Sequence, residues 1–391
     1  MRNFVEAMGE LGYEYDYQYN QGNRDVIAAL QAEEANLLRA RDLARANGWW
    51  YELAGTMQGL RSLYAHTGRR AEWEALVAQI VPDFVDLATD GPLPGREEQW
   101  GLITEYRIFV ARDARQWDEA ERLLRVWVDW ERRRAAKAVA ALDGQLDESH
   151  LDAIQSLGSA LHTLGQLQLQ QGDPGCISTL TEAMELAERI GDWPHAAVAA
   201  FNLGHAYKNV PALRDLAQAE RWYRRSLELV DERDRLGRAK CIGQLGQIAY
   251  EHFKEARAGG LPERQQMSHL NDALRSYHQA LDLLPPDAAN DLAVTHGMLG
   301  SIYGDAGDLD RALMHYREAI RYAEAADNVY EAATHHFNAA IDLSNAGRLD
   351  DALAHARAAL SNFATFGDSA AADIQETQGV IAMIEQAMTG S

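Results

Sequence analysis

The stretch Leu299-Gly300-Ser301-Ile302-Tyr303-Gly304-Asp305-Ala306-Gly307-Asp308-Leu309-Asp310-Arg311-Ala312-Leu313-Met314-His315-Tyr316-Arg317-Glu318-Ala319 decides the fold. Within 290–363 its pattern occurs twice. A second copy, offset by 40 residues, reads Ala339-Ala340, Leu343, Gly347, Ala352, Ala356 and Ala359. The spacing describes a helical hairpin. Gly300 and Ala312 are small enough for two antiparallel helices to approach closely, and Tyr303 and Tyr316 fill the space beside them. Gly307 ends the first helix in a backbone conformation that glycine adopts cheaply. Asp308 then stands where an N-cap belongs, ahead of Leu309 and the second helix. A lone hairpin of this kind cannot bury its apolar face and has to stack on neighbours.

Working outward, the register runs upstream. Leu164-Gly165 with Gly172, Leu180 and Ala183 is one hairpin. Leu203-Gly204 with Tyr207, Ala219 and Tyr223 is the next, and Leu245-Gly246 with Ala249, Ala273, Tyr277 and Ala280 follows. Gly165, Gly204, Gly246, Gly300 and Ala340 are separated by 39, 42, 54 and 40 residues. The longest interval predicts an elongated hairpin with an insertion near 251–270, around Gly259-Gly260. This is the tetratricopeptide repeat pattern, and the resemblance implies an all-α, right-handed superhelical solenoid of antiparallel helix pairs, about seven in number. Periods near 40 exceed the 34 of the short form, so each helix is about a turn longer.

Four segments are expected: an N-terminal region of degenerate repeats at 1–90, a degenerate helix pair at 96–148, the regular array at 150–365, and a capping helix at 366–391. Upstream helices are read at 24–47, 49–66 and 70–87. The breaker Thr89-Asp90-Gly91-Pro92-Leu93-Pro94-Gly95 follows as a loop and candidate joint. Tyr13, Tyr15, Tyr17 and Tyr19 alternate with polar residues, and we read them as the end of a helix. The pair 97–113 and 117–139 carries Trp117, Trp127 and Trp130 with Arg122, Arg125, Arg132, Arg133 and Arg134. That face is either solvated or a surface for self-association or for an acidic partner.

Composition narrows the class. Of the 391 residues, 47% are hydrophobic and 25% charged, as in an ordinary folded chain. The net charge of −22 argues against nucleic acid or an anionic membrane as partner. Two cysteines, Cys176 and Cys241, offer neither a disulfide framework nor a zinc spacing, and a reducing cytoplasm is the expected location. No apolar run is long enough to span a membrane. The sequence holds no phosphate-binding loop, no His-Glu-x2-His and no Gly-x-Ser-x-Gly, so no enzymatic activity, cofactor or metal is expected. His335-His336 with His355 is a poor metal set, because adjacent helical residues point about 100° apart.

The first helix of each hairpin lines the concave face in tetratricopeptide superhelices. On this face the register places His162, Gln166, Gln170, Asn202, His205, Asn209, Lys240, Gln244, Gln247, Ser301, Asp305 and Asn338. Most are neutral hydrogen-bonding groups. Amides both donate and accept, so a ladder of them suits the backbone of an extended protein segment or peptide. Phe201, Tyr250 and Phe337 lie near enough to form apolar pockets. Replacing Asn202 and Asn338 by Ala is expected to weaken partner binding with little change in melting temperature.

Three further stretches, 44–50 (Ala-Arg-Ala-Asn-Gly-Trp-Trp), 201–207 (Phe-Asn-Leu-Gly-His-Ala-Tyr) and 327–330 (Asp-Asn-Val-Tyr), resemble the C-terminal repeat regions of bacterial NLR-like signalling ATPases of the STAND class. In that family the region is a sensor that restrains the ATPase until a trigger binds. This sequence has no P-loop or effector domain, so the resemblance implies an excised sensor region or a stand-alone repeat protein. A start at Phe4 inside a helix favours excision. The competing expectations are a receptor for a small signalling peptide and a passive assembly scaffold.

Overall fold

Glycine, alanine and long apolar residues recur at helical spacing along the chain, and helices result almost throughout. The computed structural model describes residues 1–20, 23–140 and 146–389. Residues 141–145 of the expected 96–148 segment, and 390–391 of the expected cap, lie outside the described residues. Among the described residues there are seventeen α-helices and no strand longer than an isolated bridge. The protein is an all-α helical-repeat solenoid whose chain divides into two units, Met1–Leu167 and Gln168–Ser391, the boundary falling within one helix.

The N-terminal unit holds α1 (Arg2–Asn20), α2 (Val26–Asn47), α3 (Trp50–Thr67), α4 (Arg70–Phe84), α5 (Glu97–Asp113), α6 (Trp117–Ala140) and most of α7 (Glu148–Gln171). Its core centres on Leu30, Leu53, Met57, Leu60, Trp100 and Tyr106, each essentially excluded from solvent. The tyrosine run lies inside α1. Tyr13 packs on Tyr51 with ring centroids 5.2 Å apart, and Arg24 lies over Tyr19. Helices α1 and α3 meet backbone to backbone: a Cβ on Gly12 would fall 2.1 Å from the Gly55 carbonyl oxygen, and one on Gly55 2.4 Å from that of Gly9.

The helix expected at 70–87 stops three residues early. Val85 turns extended and pairs with Pro92 in an antiparallel bridge, closed by Leu93 N–H to Phe84 O and Asp86 N–H to Gly91 O, each 2.9 Å. The backbone groups that further helix would have used are thereby taken by the loop. Asp90 anchors that loop by accepting from Arg107 (2.6 Å) and Arg122 (2.5 Å). The arginines of α6 are largely engaged locally: Arg125 pairs with Glu121, Arg132 with Asp129, and Arg134 with Glu131 and Asp152.

The C-terminal unit continues with α8 (Cys176–Arg189), α9 (Trp193–Asn209), α10 (Leu216–Leu229), α11 (Arg235–Ala258), α12 (Glu263–Leu283), α13 (Ala289–Asp305), α14 (Leu309–Ala325), α15 (Val329–Asn345), α16 (Leu349–Ala364) and α17 (Ala371–Thr389). Helices pair as α9–α10, α11–α12, α13–α14 and α15–α16, and each pair packs on the next. Gly307 takes φ +78°, as its place in the hairpin turn demands. Asp192, Asp215, Asp234, Asp308 and Asn328 cap α9, α10, α11, α14 and α15, each side chain accepting a backbone N–H of the first turn.

The Leu-Gly register has a direct cause. A Cβ on Gly204 would sit 2.6 Å from the Tyr223 ring, and one on Gly300 2.6 Å from the Tyr316 ring. One hairpin later, Ala340 and Ala356 replace the glycine–tyrosine pair, both fully buried in the same cluster. Small faces small there.

Candidate functional site

Helices α9, α11, α13 and α15 are the first members of their hairpins, and α13 packs directly on both α11 and α15. Their common face carries the candidate site. At its start, the Lys208 ammonium donates to Gln244 Oε1 at 2.7 Å and Gln247 Oε1 at 2.8 Å, tying α9 to α11. Burial lowers the Lys208 pKa to about 8, with Glu251 pulling the other way. His205 is half-buried beside it, with Nδ1 2.9 Å from the Tyr223 hydroxyl and its ring edge-on to Phe201. Burial, and then the Lys208 charge, lower the His205 pKa to about 4, which leaves a neutral imidazole.

Further along, Asp305 accepts from the Tyr250 hydroxyl at 2.6 Å and from Arg257 at 2.7 Å. Asp342 accepts from the Tyr316 hydroxyl at 3.0 Å, and the same hydroxyl oxygen lies 3.3 Å from Ser301 Oγ. Burial raises the Asp342 pKa to about 6, the Tyr316 bond opposing and the Asp305 charge adding to the shift. Gly304 leaves room for this carboxylate, since a Cβ there would lie 2.1 Å from Asp342 Oδ2. Asp305, Asp342, Asn345 and Arg257 line an open polar cavity of about 540 Å³. A second cavity, of about 310 Å³ and mainly apolar, lies between the first halves of α9 and α11. Pro194, Ala197, Val198, Phe201 and Cys241 form its walls, with Lys240 at its edge.

The structure therefore brings Lys240, Gln244, Gln247, His205 and Phe201 together around α9 and α11. Asn202 sits in the same helix but is only 8% exposed, with its Nδ2 buried and without a partner. Asn209 lies exposed at the end of α9. Ser301 and Asp305 group with Asp342 further along, and Asn338 is half-buried on α15. His162 and Gln166 stand on α7 in the N-terminal unit, whereas Gln170 belongs to the C-terminal unit. Tyr250 is buried and spent on Asp305.

Sequence reasoning missed Lys208, Asp342 and the Pro194–Val198 wall. Lys208 lies three residues after His205 and was legible as the same face; Asp342 stands four after Asn338. Nothing in the local sequence of Val198 told an exposed valine from a buried one.

His336 and His355 approach with Nδ1 atoms 3.0 Å apart, and His296 and His315 do the same one repeat earlier. His335 points away from its neighbour into the core, against Gly297. Among the described residues no three His, Cys, Asp or Glu side chains are grouped so as to hold a metal ion.

Residues 293–326 match the tetratricopeptide repeat family model. No curated protein matches the chain. Among solved structures, a Rap protein complexed with competence and sporulation factor is similar at 12% identity, over 98% of this chain and 99% of that one, with a TM-score of 0.48. A STAND protein with a tetratricopeptide repeat sensor from Pyrococcus horikoshii is similar at 13% identity, over 92% of this chain and 54% of that one, with a TM-score of 0.46. BtubC from P. vanneervenii is similar at 18% identity over 63% and 92% of the two chains, with a TM-score of 0.45. Likenesses at this level decide nothing about ligand or activity. The match at 293–326, and the hairpins that repeat its register through the C-terminal unit, identify a tetratricopeptide repeat protein.

Proposed function

We propose that the C-terminal unit is a non-enzymatic binding module that takes an extended protein segment or peptide along α9, α11, α13 and α15. The observation that carries this reading is the pairing of a polar row with a cavity. Amides, a desolvated lysine and carboxylates run along consecutive first helices, beside an apolar recess sized for a side chain. Such a face gives main-chain hydrogen bonds along its length and one site of side-chain selection. The finer role we propose is that of a sensor or regulatory region in a larger bacterial signalling protein. It is supported by the resemblance at 44–50, 201–207 and 327–330, and a ligand-driven change in the array would be its output.

Selection of a random twelve-residue peptide display library on the full chain tests the binding role. Affinities of recovered peptides are then compared between the wild type and the Gln244→Ala/Asn338→Ala variant. We expect at least tenfold weaker binding by the variant, with the melting temperature only a few degrees lower for the lost Lys208–Gln244 bond. Equal affinity would remove the site from this face.

A further inference from the structure

The cavity between α9 and α11 has a chemistry more specific than a general groove. Its walls are apolar: Pro194, Val198 and Phe201 from α9, and Val230 from the segment after α10. Val198 is 48% exposed, and Trp193, on the first turn of the same helix, is 50% exposed. Large apolar side chains are thus left open to water beside a recess of about 310 Å³, room for one aromatic or branched aliphatic side chain. The floor is closed by Ser226 and Cys241, whose Oγ and Sγ atoms bond to each other at 3.2 Å and so present little free polarity.

The rim is charged, and the charge is not balanced. Asp231 and Asp234 are exposed and line the cavity. Asp231 accepts from the Arg233 backbone N–H at 2.7 Å and Asp234 from that of Gly237 at 2.8 Å, and neither forms an ion pair among the described residues. Among the lining residues the one cation is Lys240, its ammonium 3.6 Å from Asp291 of α13, and the Arg238 charge also acts on Cys241 in the floor. An approaching ligand therefore meets two carboxylates without cationic partners around an apolar recess. Further along the same face stand Asp305 and Asp342, with Arg257 the cation lining their cavity. The net charge of −22 extends the bias over the whole chain and favours encounter with cations.

From this we infer that the partner segment is an extended, basic peptide whose aromatic or branched aliphatic side chain anchors between α9 and α11, flanked by lysine or arginine facing Asp231 and Asp234. The inference rests on the binding role proposed above for this face and adds the chemistry of its ligand. An acidic peptide, or one without an apolar residue, should bind more weakly.

The test uses four fluorescein-labelled octapeptides on the full chain, read by anisotropy in 50 mM salt. Each has a central Phe or Ser, flanked on both sides by Lys or by Glu, within otherwise identical Gly-Ser sequence. The Phe/Lys peptide should bind at least tenfold more tightly than either the Ser/Lys or the Phe/Glu peptide. Val198→Asn, at an exposed position, should abolish the preference for Phe over Ser, and Asp231→Asn should reduce the preference for Lys over Glu. Thermal melts confirm that both variants fold. Binding of all four peptides with similar affinity would overturn the inference and leave the groove reading standing. Preferences that survive both substitutions would move the anchor elsewhere and overturn it as well. If none of the four binds while display-selected peptides do, the ligand class assigned here is wrong; if display also yields none, the groove reading itself fails.

Discussion

Replacing a helical glycine by alanine normally stabilises a protein, and two glycines of this chain should respond in opposite directions. Alanine in a helix interior is favoured over glycine by about 1 kcal/mol. At Gly243, in α11, a Cβ would meet nothing within 4 Å, so Gly243→Ala should gain about that amount. At Gly300 the new Cβ would stand 2.6 Å from two ring carbons of Tyr316. That ring cannot withdraw: it is 1% exposed, and its hydroxyl is held by Ser301 and Asp342. Forcing a methyl into such a site costs about 2–3 kcal/mol, the upper part of the usual overpacking range. Net of the helix gain, Gly300→Ala should lose about 1–2 kcal/mol. For a unit of this size each kcal/mol moves the melting point by about 2–4 °C. Scanning calorimetry of the two variants beside the wild type should show Gly243→Ala melting higher and Gly300→Ala lower. A Gly300→Ala protein as stabilised as Gly243→Ala would refute the claim that close helix approach, rather than chain flexibility, fixes the glycine of the repeat.

Acidification gives a second test. His315 and His335 are 4% and 3% exposed, and burial lowers their pKa to about 4. The unfolded chain, near 6.5, takes up protons first, so stability falls as pH drops from about 6.5 towards 4, by about 2 kcal/mol per histidine at pH 5. Asp342, raised to about 6, has the opposite sign and offsets about 1 kcal/mol. The melting temperature should accordingly fall between pH 7.5 and pH 5, and a flat profile would contradict the burial of these rings. Asp308→Ala removes the cap on Arg311 N–H and should cost about 1 kcal/mol by urea titration. Gly12→Val, which drives a side chain into the Gly55 carbonyl, should cost more than 3 kcal/mol, with hydrogen exchange rising first in α1 and α3.

The repeat was legible because its residues carry opposed demands at fixed spacing. Gly300 must be small for Tyr316, Gly307 must take a positive φ, and Asp308 must cap. These constraints are local, and sequence expresses them well. The α1–α3 contact was not legible, since Gly9, Gly12, Gly55 and Gly59 acquire meaning only when two helices more than forty residues apart cross backbone to backbone. Helix α4 likewise ends where a bridge to Pro92 takes over its backbone partners, a pairing that no local preference announces. For the candidate site, register assigned residues to the first helices but could not tell which groups were already occupied. Gln244 and Gln247 hold Lys208, and Asp305 holds Tyr250 and Arg257. The apolar recess at Val198 depends on how α9 and α11 sit against each other, which spacing along either helix does not encode.

The central claim is that an extended ligand runs along the first helices of the C-terminal unit. Hydrogen–deuterium exchange on the full chain, with and without a saturating display-selected peptide, tests it most directly. The account predicts slower exchange in α9, α11, α13 and α15, strongest from Pro194 to Phe201 and from Asp234 to Gln247. Protection confined to the second helices α10, α12, α14 and α16, or to the N-terminal unit, would contradict it.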